Sequence, residues 1–139
     1  MDIITYKLQL KTKGAGDLVD ITPQLQEHLA KSGFGQGQVT VFVVGSTAAI
    51  TAFEYEPGLA QDMKAFYEKI IPSNVSYAHD ETWGDANGFS HVRAALQGPS
   101  LVIPFTQGQY VLGTWQQIVL AEFDHKPRQR TVVLQFLGK

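Results

Sequence analysis

The sequence lacks cysteine altogether and has no long apolar run, and both absences narrow the functions open to it. Without cysteine among its 139 residues, disulfides, thiolate zinc sites, iron–sulfur clusters and cysteine nucleophiles are excluded. No apolar stretch approaches the ~20 residues that a helix needs to span a bilayer. Residues 1–20 carry charges within their apolar runs, so we expect no signal peptide. We therefore predict a cytoplasmic protein with no membrane partner.

Charge is also scarce. Charged residues make up 17% of the chain, and the formal net charge is −2. A balance this close to neutral gives no electrostatic basis for binding nucleic acid or an acidic membrane surface. Hydrophobic residues make up 44% of a chain of 139 residues, which predicts one domain, residues 1–139, with enough apolar side chains for a core.

Three segments have the apolar spacing of helices, namely 22–33, 57–71 and 84–98. The first has Thr22 as its predicted N-cap, Pro23 at the first helical position and Gly33 as its C-cap. The second is stopped by Pro72. After the second helix we predict a polar loop, residues 73–88. It overlaps the turn-forming residues with which the 84–98 segment begins.

The remaining segments predict strands. Ile3–Thr12 alternates between apolar and polar residues, as a half-buried strand does. Gln38–Gly45 and Ala48–Glu56 are apolar and separated by a tight turn, which predicts a hairpin. The last third of the chain reads as four more strands. The predicted strands follow one another in hairpins and do not alternate with helices. This order indicates an α+β fold with mostly antiparallel sheet. Several strands are apolar on both faces, so either two layers cover each sheet or one face is buried in an oligomer.

The most suggestive polar cluster comprises His79, Asp80 and His91. Imidazole and carboxylate groups suit a borderline divalent ion, and an open site of this kind supports hydrolytic or Lewis-acid chemistry. The spacing matches no HxxxH or HExxH motif, and by itself it favours a packed His91 and a solvated His79. Asn87 lies four residues before His91, on the same helix face. Asn87 is also a natural N-cap, and the amides of that first turn suit an anion.

Three other groups have both a functional and a structural interpretation. Gly45, Ser46 and Thr47 form a small hydroxyl-bearing turn that suits phosphate, although the lysine of a P-loop is absent and a plain turn is favoured. Glu54 and Glu56 end a strand, with Asp62 on the next helix. Glu54 follows small and apolar residues, where an unpaired carboxylate is costly, so it is a candidate site residue. The alternative is an exposed strand end. The last group comprises Glu122, Asp124, Arg128 and Arg130. We expect these residues to form a cross-strand ladder of ion pairs. The alternative is that the arginines bind phosphate.

Taken together and in order, these segments resemble the YjbQ family, also called UPF0047. The stretches that carry the resemblance are "GSTAAITAFEYE", "GDANGFSHVRAALQGPSLVIPFTQG" and "LGTWQQIVLAEFDHKPRQRTVVLQFLG". The resemblance implies a small cytoplasmic α+β domain with a packed two-layer β-sandwich, assembled as a homotrimer. It also implies a thiamine-phosphate synthase activity, described as secondary in some members. That reaction joins hydroxymethylpyrimidine diphosphate to a thiazole phosphate and releases pyrophosphate.

Carried over residue by residue, the resemblance implies two sets of site residues. The catalytic set is His79, Asn87, His91 and Glu54. The set that binds phosphate, ring or cofactor is Ser46, Thr47, Trp115, Gln116, Arg128 and Arg130. The implied metal ligands are His79 and His91, for a zinc-type ion, and Mg²⁺ would arrive on the diphosphate substrate.

The chain departs from the family pattern at Gly45. Many members read "HTTAA" where this chain reads "GSTAA", so only two of three histidines remain to hold an ion, and we expect a lower metal affinity. An alternative function is a non-catalytic trimeric protein that binds a metal or a phosphorylated metabolite. A third is a metal-assisted hydrolase that uses His79, Asp80 and His91.

Overall fold

Residues 1–14 and 16–139, which the computed structural model describes, form eight strands and four helices. The strands are β1 (Asp2–Lys11), β2 (Asp17–Asp20), β3 (Gln36–Val44), β4 (Ala48–Phe53), β5 (Ser100–Thr106), β6 (Gln109–Tyr110), β7 (Gln117–Glu122) and β8 (Gln129–Gly138). The helices are α1 (Thr22–Ser32), α2 (Pro57–Ile70), α3 (Ala78–Trp83) and α4 (Gly88–Gln97). None of these helices is both long and apolar enough to cross a membrane.

The strands divide between two antiparallel sheets that pack face to face. The large sheet has the order β1-β8-β3-β5-β6 and the small sheet the order β2-β7-β4. In β7, Ile118 and Leu120 join the core between the sheets, whereas Val119 and Ala121 pack with residues of α2 and α4. This period of two explains why β7 is apolar on both faces. The predicted α+β class with antiparallel sheets is confirmed.

The predicted hairpin between Gln38–Gly45 and Ala48–Glu56 is wrong. The first strand, β3, pairs with β5 and β8 in the large sheet, whereas β4 pairs with β7 in the small sheet. The intervening turn therefore crosses the edge of the sandwich. A short turn between two apolar strands fits a hairpin or a crossing equally well, and only the long-range strand pairing separates the two.

The helices follow the sequence more closely. Helix α1 ends at Gly33, whose φ of 73° is the left-handed C-cap that was predicted. Thr22 is the first residue of α1 rather than its cap, and its hydroxyl accepts a hydrogen bond from the Ile118 amide. Helix α3 lies inside the segment predicted as a polar loop, because its six residues are too few to show apolar periodicity. The short strand β2 was also missed.

The core between the sheets becomes polar at one end. Along β8 the inward positions Phe136, Leu134 and Val132 are followed by Arg130, and in β7 the inward position after Leu120 is Glu122. Arg130 and Glu122 thus face each other where the apolar core stops. The Gly45–Thr47 turn and the start of α4 lie at this same end of the sandwich. The candidate site is located here.

Candidate functional site

Two histidines meet where α3 packs against α4. His79 lies in the first turn of α3 and His91 in the first turn of α4. Their ring centroids are 4.2 Å apart and the rings are inclined by 48°. The two residues are twelve apart in sequence and on different helices, so the contact depends on the turn at Gly84, whose φ of 70° ends α3.

Asn87 and Asp85 complete this cluster. With its nitrogen turned toward them, the Asn87 amide donates to His79 Nε2 (3.2 Å) and to Asp85 Oδ1 (3.0 Å). Asp85 Oδ1 is 3.8 Å from His79 Nε2. Asn87 is buried and makes no side-chain capping bond to α4, so its amide orients His79 rather than capping the helix. Asp85 was not predicted, because an aspartate beside glycine reads as a turn residue.

Asp80 has a structural role in place of the predicted one. Its two carboxylate oxygens accept hydrogen bonds from the Tyr77 amide (3.0 Å) and the Gly88 amide (2.8 Å). It therefore caps α3 and α4 together, and these backbone bonds hold the pKa of Asp80 below its usual value. A side chain on Gly88 would stand 2.4 Å from Tyr77 Cβ. Because Asp80 takes up the Gly88 amide, that amide is not open to an anion.

Replacing Asp80 with alanine is expected to lower the Tm and to speed amide exchange at Tyr77 and Gly88. Because the folded-state pKa is depressed, this contribution to stability is present above the unfolded-state pKa near 3.8 and is lost as pH falls through the folded-state value. Thermal melts at pH 7 and at lower pH measure it. Glu81→Ala, an exposed neighbour on α3, is the control. Equal Tm values for the two variants would contradict the capping role.

His91 forms one wall of a pocket. The pocket has a volume of about 330 Å³ and is lined by Gly45, Ser46, Ala48, His91, Ala94, Ala95 and Pro99. Burial and the neighbouring His79 lower the pKa of His91, whereas the negative charges of Asp85 and Asp124 raise it in part. The net direction is downward, so the neutral imidazole, with one ring N–H and one nitrogen lone pair, predominates at pH 7.

The backbone at Gly45, which lines the pocket, lies close to an arginine. Gly45 has a φ of 140°, a region that residues with a side chain rarely adopt, and a Cβ there would stand 2.8 Å from Arg130 Nη1. The Arg130 guanidinium therefore occupies the space into which a side chain at position 45 would point. In this chain the pocket is lined at this turn by Gly45, Ser46 and Ala48, with no side chain at position 45.

Arg130 and Glu122 form a buried ion pair beneath that turn. Arg130 Nε is 2.8 Å from Glu122 Oε1, and Arg130 Nη2 donates to the Thr47 hydroxyl (2.6 Å). Glu122 is completely buried and also accepts a bond from the Thr12 hydroxyl. Thr47 is itself buried, and its hydroxyl donates to Asp124. Thr47 therefore holds the turn to the ion pair, and of the predicted turn donors only Ser46 faces the pocket.

The second predicted ion pair also forms. Arg128 Nε and Nη2 lie 2.9 and 2.6 Å from Asp124 Oδ2. Burial raises the pKa of Asp124, but the hydrogen bonds and charge of Arg128 outweigh it and hold the pKa below its usual value. Both ion pairs form, but the predicted cross-strand ladder is wrong: Arg130–Glu122 joins the two sheets, whereas Arg128–Asp124 lies within the loop between β7 and β8. Arg128 and Arg130 are thus committed to carboxylates.

Three predicted residues lie at the other end of the small sheet. Ala48 pairs with Glu122 at the histidine end, whereas Phe53 pairs with Gln117 at the far end, about 17 Å away by strand geometry. Glu54 follows Phe53 and is exposed, and Trp115 is 70% exposed just before β7. The Gln116 side chain accepts a bond from the Gly113 amide. Within one chain these residues do not join the histidines.

The side chains do not form a complete site for a resident metal ion. Within residues 1–14 and 16–139, no three histidine, aspartate or glutamate side chains converge in a way that would hold an ion. His79 and His91 meet, but Nε2 of His79 faces the Asn87 amide and Asp80 is bound to backbone. An ion here would need oxygen ligands from solvent or substrate. Metal binding by these histidines stays a prediction.

Comparison with known proteins identifies the fold and the family. The family model described as UPF0047 protein YjbQ-like matches residues 6–139. A UPF0047 protein of Methanothermobacter thermautotrophicus is 38% identical over the whole chain and 95% of its own length. One from Archaeoglobus fulgidus is 37% identical over 94% of this chain and 99% of its own length.

Solved structures give the same result. A YbjQ-like protein of unknown function from Sulfolobus solfataricus superposes with a TM-score of 0.89 at 33% identity, covering 99% of this chain and 100% of its own. A hypothetical protein from Aeropyrum pernix also gives 0.89 at 33% identity, with coverage of 98% and 99%. The chain therefore belongs to the YjbQ (UPF0047) family.

Proposed function

We propose that this protein binds a small phosphorylated metabolite in the pocket at His91, and that thiamine-phosphate synthesis is the reaction it supports there. The observation that carries the proposal is the neutral His91, packed against His79 and facing the open turn at Gly45 and Ser46. The pocket volume of about 330 Å³ suits one phosphorylated ring.

The reaction requires the protein to position its two substrates, and it requires no nucleophilic side chain. The carbon–oxygen bond to the diphosphate breaks, pyrophosphate leaves with the electron pair, and the thiazole nitrogen bonds to the methylene carbon. His91, as a neutral imidazole, donates an N–H to a phosphate oxygen, and Ser46 lines the same pocket. Asn87 fixes His79 beside it. These groups hold the leaving group in place without forming a covalent intermediate.

The test is direct assay of the purified protein with both phosphorylated precursors and Mg²⁺. We expect thiamine phosphate and pyrophosphate to form in equal amounts. Replacing Ser46 with alanine, which removes the hydroxyl bordering the pocket, should raise KM more than it lowers kcat, because it removes a substrate contact. Failure to form product at any precursor concentration would end the synthase proposal.

A second candidate, a non-catalytic binding protein, is favoured by one observation. Glu54, Trp115 and Gln116, which the resemblance assigns to the site, lie at the opposite end of the small sheet. A ligand-induced thermal shift separates the two: about 100 Kd of a true ligand adds roughly 2.7 kcal/mol. Stabilisation by a precursor without turnover of either one would favour binding alone. The hydrolase candidate loses support, because Asp80 is bound to two backbone amides.

We also propose a homotrimer, as the resemblance implies. The outer face of the large sheet supports it, because Phe42, Val44 and Val102 stand exposed there by 41%, 51% and 56%, and Phe42 pairs with Val133 on the neighbouring strand. An apolar sheet face of this kind marks a contact surface. Light scattering after gel filtration measures the mass, and a monomer at assay concentrations would contradict the proposal.

A further inference from the structure

A second pocket lies on the other flank of α4, away from His91. It has a volume of about 450 Å³. Its walls come from α2, α4 and the segments around Gly16 and His125, and its lining residues are Gly16, Leu18, Lys64, Tyr67, Glu68, Ser73, Phe89, Arg93, Phe123 and His125. None of them belongs to the site proposed above.

Aromatic rings from three elements form part of this pocket. Tyr67 of α2, Phe89 of α4 and Phe123 after β7 are each at most 5% exposed. Tyr67 and Phe123 meet edge to face, with ring centroids 4.8 Å apart. Because so little of each ring is exposed, together they form a rigid apolar floor against which a flat ring can pack, rather than a free face for stacking.

The charges around the pocket leave one cation without a partner. Arg93 is buried, donates to the Ile71 carbonyl and to Glu68, and lies over the Phe89 ring at 5.0 Å. Glu68 also accepts bonds from the Ser73 amide and hydroxyl. The pocket's carboxylate is therefore fully engaged, and its remaining cation is Lys64. Within residues 1–14 and 16–139, no carboxylate lies within 4.0 Å of the Lys64 ammonium.

Lys64 is held beside the pocket by packing. Its methylene groups would contact a Cβ placed on Gly16 at 3.6 to 3.7 Å, so the stem passes over that glycine. His125, which also lines the pocket, has its Nδ1 3.2 Å from Asp124. The stem of Lys64, which is itself exposed, and the imidazole of His125 thus border an aromatic wall.

We propose that this second pocket binds a small planar aromatic or heteroaromatic anion, with its ring against Tyr67, Phe89 and Phe123 and its carboxylate or phosphate group at Lys64. Ring and charge are both required, because the aromatic wall supplies apolar contact and Lys64 supplies the unmatched positive charge. The site is independent of the proposed synthase activity and of the His91 pocket.

Phenyl phosphate is a suitable probe in an NMR titration of backbone amides, with inorganic phosphate standing in for its anionic half and benzyl alcohol for its uncharged aromatic half. We expect phenyl phosphate to shift the amides of Gly16, Lys64, Phe89 and His125. Each half should bind about tenfold more weakly, because each keeps one of the two contributions. A carboxylate probe, benzoate, tests whether the pocket distinguishes the two anions.

The matched variants are Lys64→Gln and Lys69→Gln, both on exposed positions of α2. Lys64→Gln should weaken phenyl phosphate binding about five- to tenfold, the size of a charge-assisted contact, while Lys69→Gln leaves it unchanged. Shifts confined to His79, His91 and Ser46, or no shifts at these pocket residues, would overturn the proposal. Equal affinity for benzyl alcohol, or indifference to Lys64→Gln, would overturn its anionic part.

Discussion

Replacing Arg130 with methionine is expected to lower the free energy of unfolding by about 3–5 kcal/mol, the cost of leaving a buried charge without its partner. The partner is Glu122, whose side chain is completely buried and accepts two bonds from this guanidinium. Arg130 also holds Thr47, so the turn over the His91 pocket loses its anchor. Urea denaturation measures the effect as a lower midpoint with an unchanged slope.

The controls separate the buried pair from a general loss of positive charge. Lys11→Met, an exposed change on the neighbouring strand β1, should stay within about 0.5 kcal/mol of the parent protein. The double variant Arg130→Met, Glu122→Leu removes both charges and should recover much of the loss, because no unpaired ion remains. A double variant no more stable than Arg130→Met alone would refute the ion-pair explanation.

The architecture could be predicted where local pattern and long-range packing agree. Alternation in β1 and the Gly33 C-cap of α1 are local signals, and both gave the observed elements. Whether β3 and β4 pair with each other is decided by β7 and β8, more than 60 residues further along the chain. The Gly45–Thr47 turn is compatible with a hairpin and with a crossing from one sheet to the other. The local sequence therefore could not predict the crossing.

The candidate site shows the same division. Spacing by itself left His79 in solvent, and the structure instead places its ring 4.2 Å from that of His91. The contact depends on Asp80, whose capping of both α3 and α4 sets the angle between the helices. The sequence suggested Asp80 as a metal ligand, because a carboxylate next to a histidine has the same sequence pattern whether it binds a metal or caps a helix. Only the positions of the Tyr77 and Gly88 amides distinguish capping from ligation.

The ion pairs Arg130–Glu122 and Arg128–Asp124 were predicted correctly from charge alternation across a short segment. Their location was not, because the segment joins different sheets and the pairs close the end of the sandwich. That location links fold stability to the proposed site, because Arg130 stabilises the core end and also bonds to Thr47, in the turn whose Gly45 and Ser46 line the pocket. Pocket shape and fold stability are therefore expected to change together in variants of Arg130.

The largest expected effect on activity belongs to His91. His91→Ala should lower kcat/KM for thiamine phosphate formation by about 100-fold or more, the usual contribution of a positioned imidazole. Because the pKa of His91 lies below 6.5, the active neutral form persists below that pH, and the parent rate should fall only in more acidic solution. His79→Ala removes the neighbour whose interaction lowers the pKa of His91, so it should move this midpoint to higher pH as well as lower the rate. His28→Ala, on α1 against Tyr6, should alter neither quantity, and His91→Ala with parental activity would exclude His91 from the site.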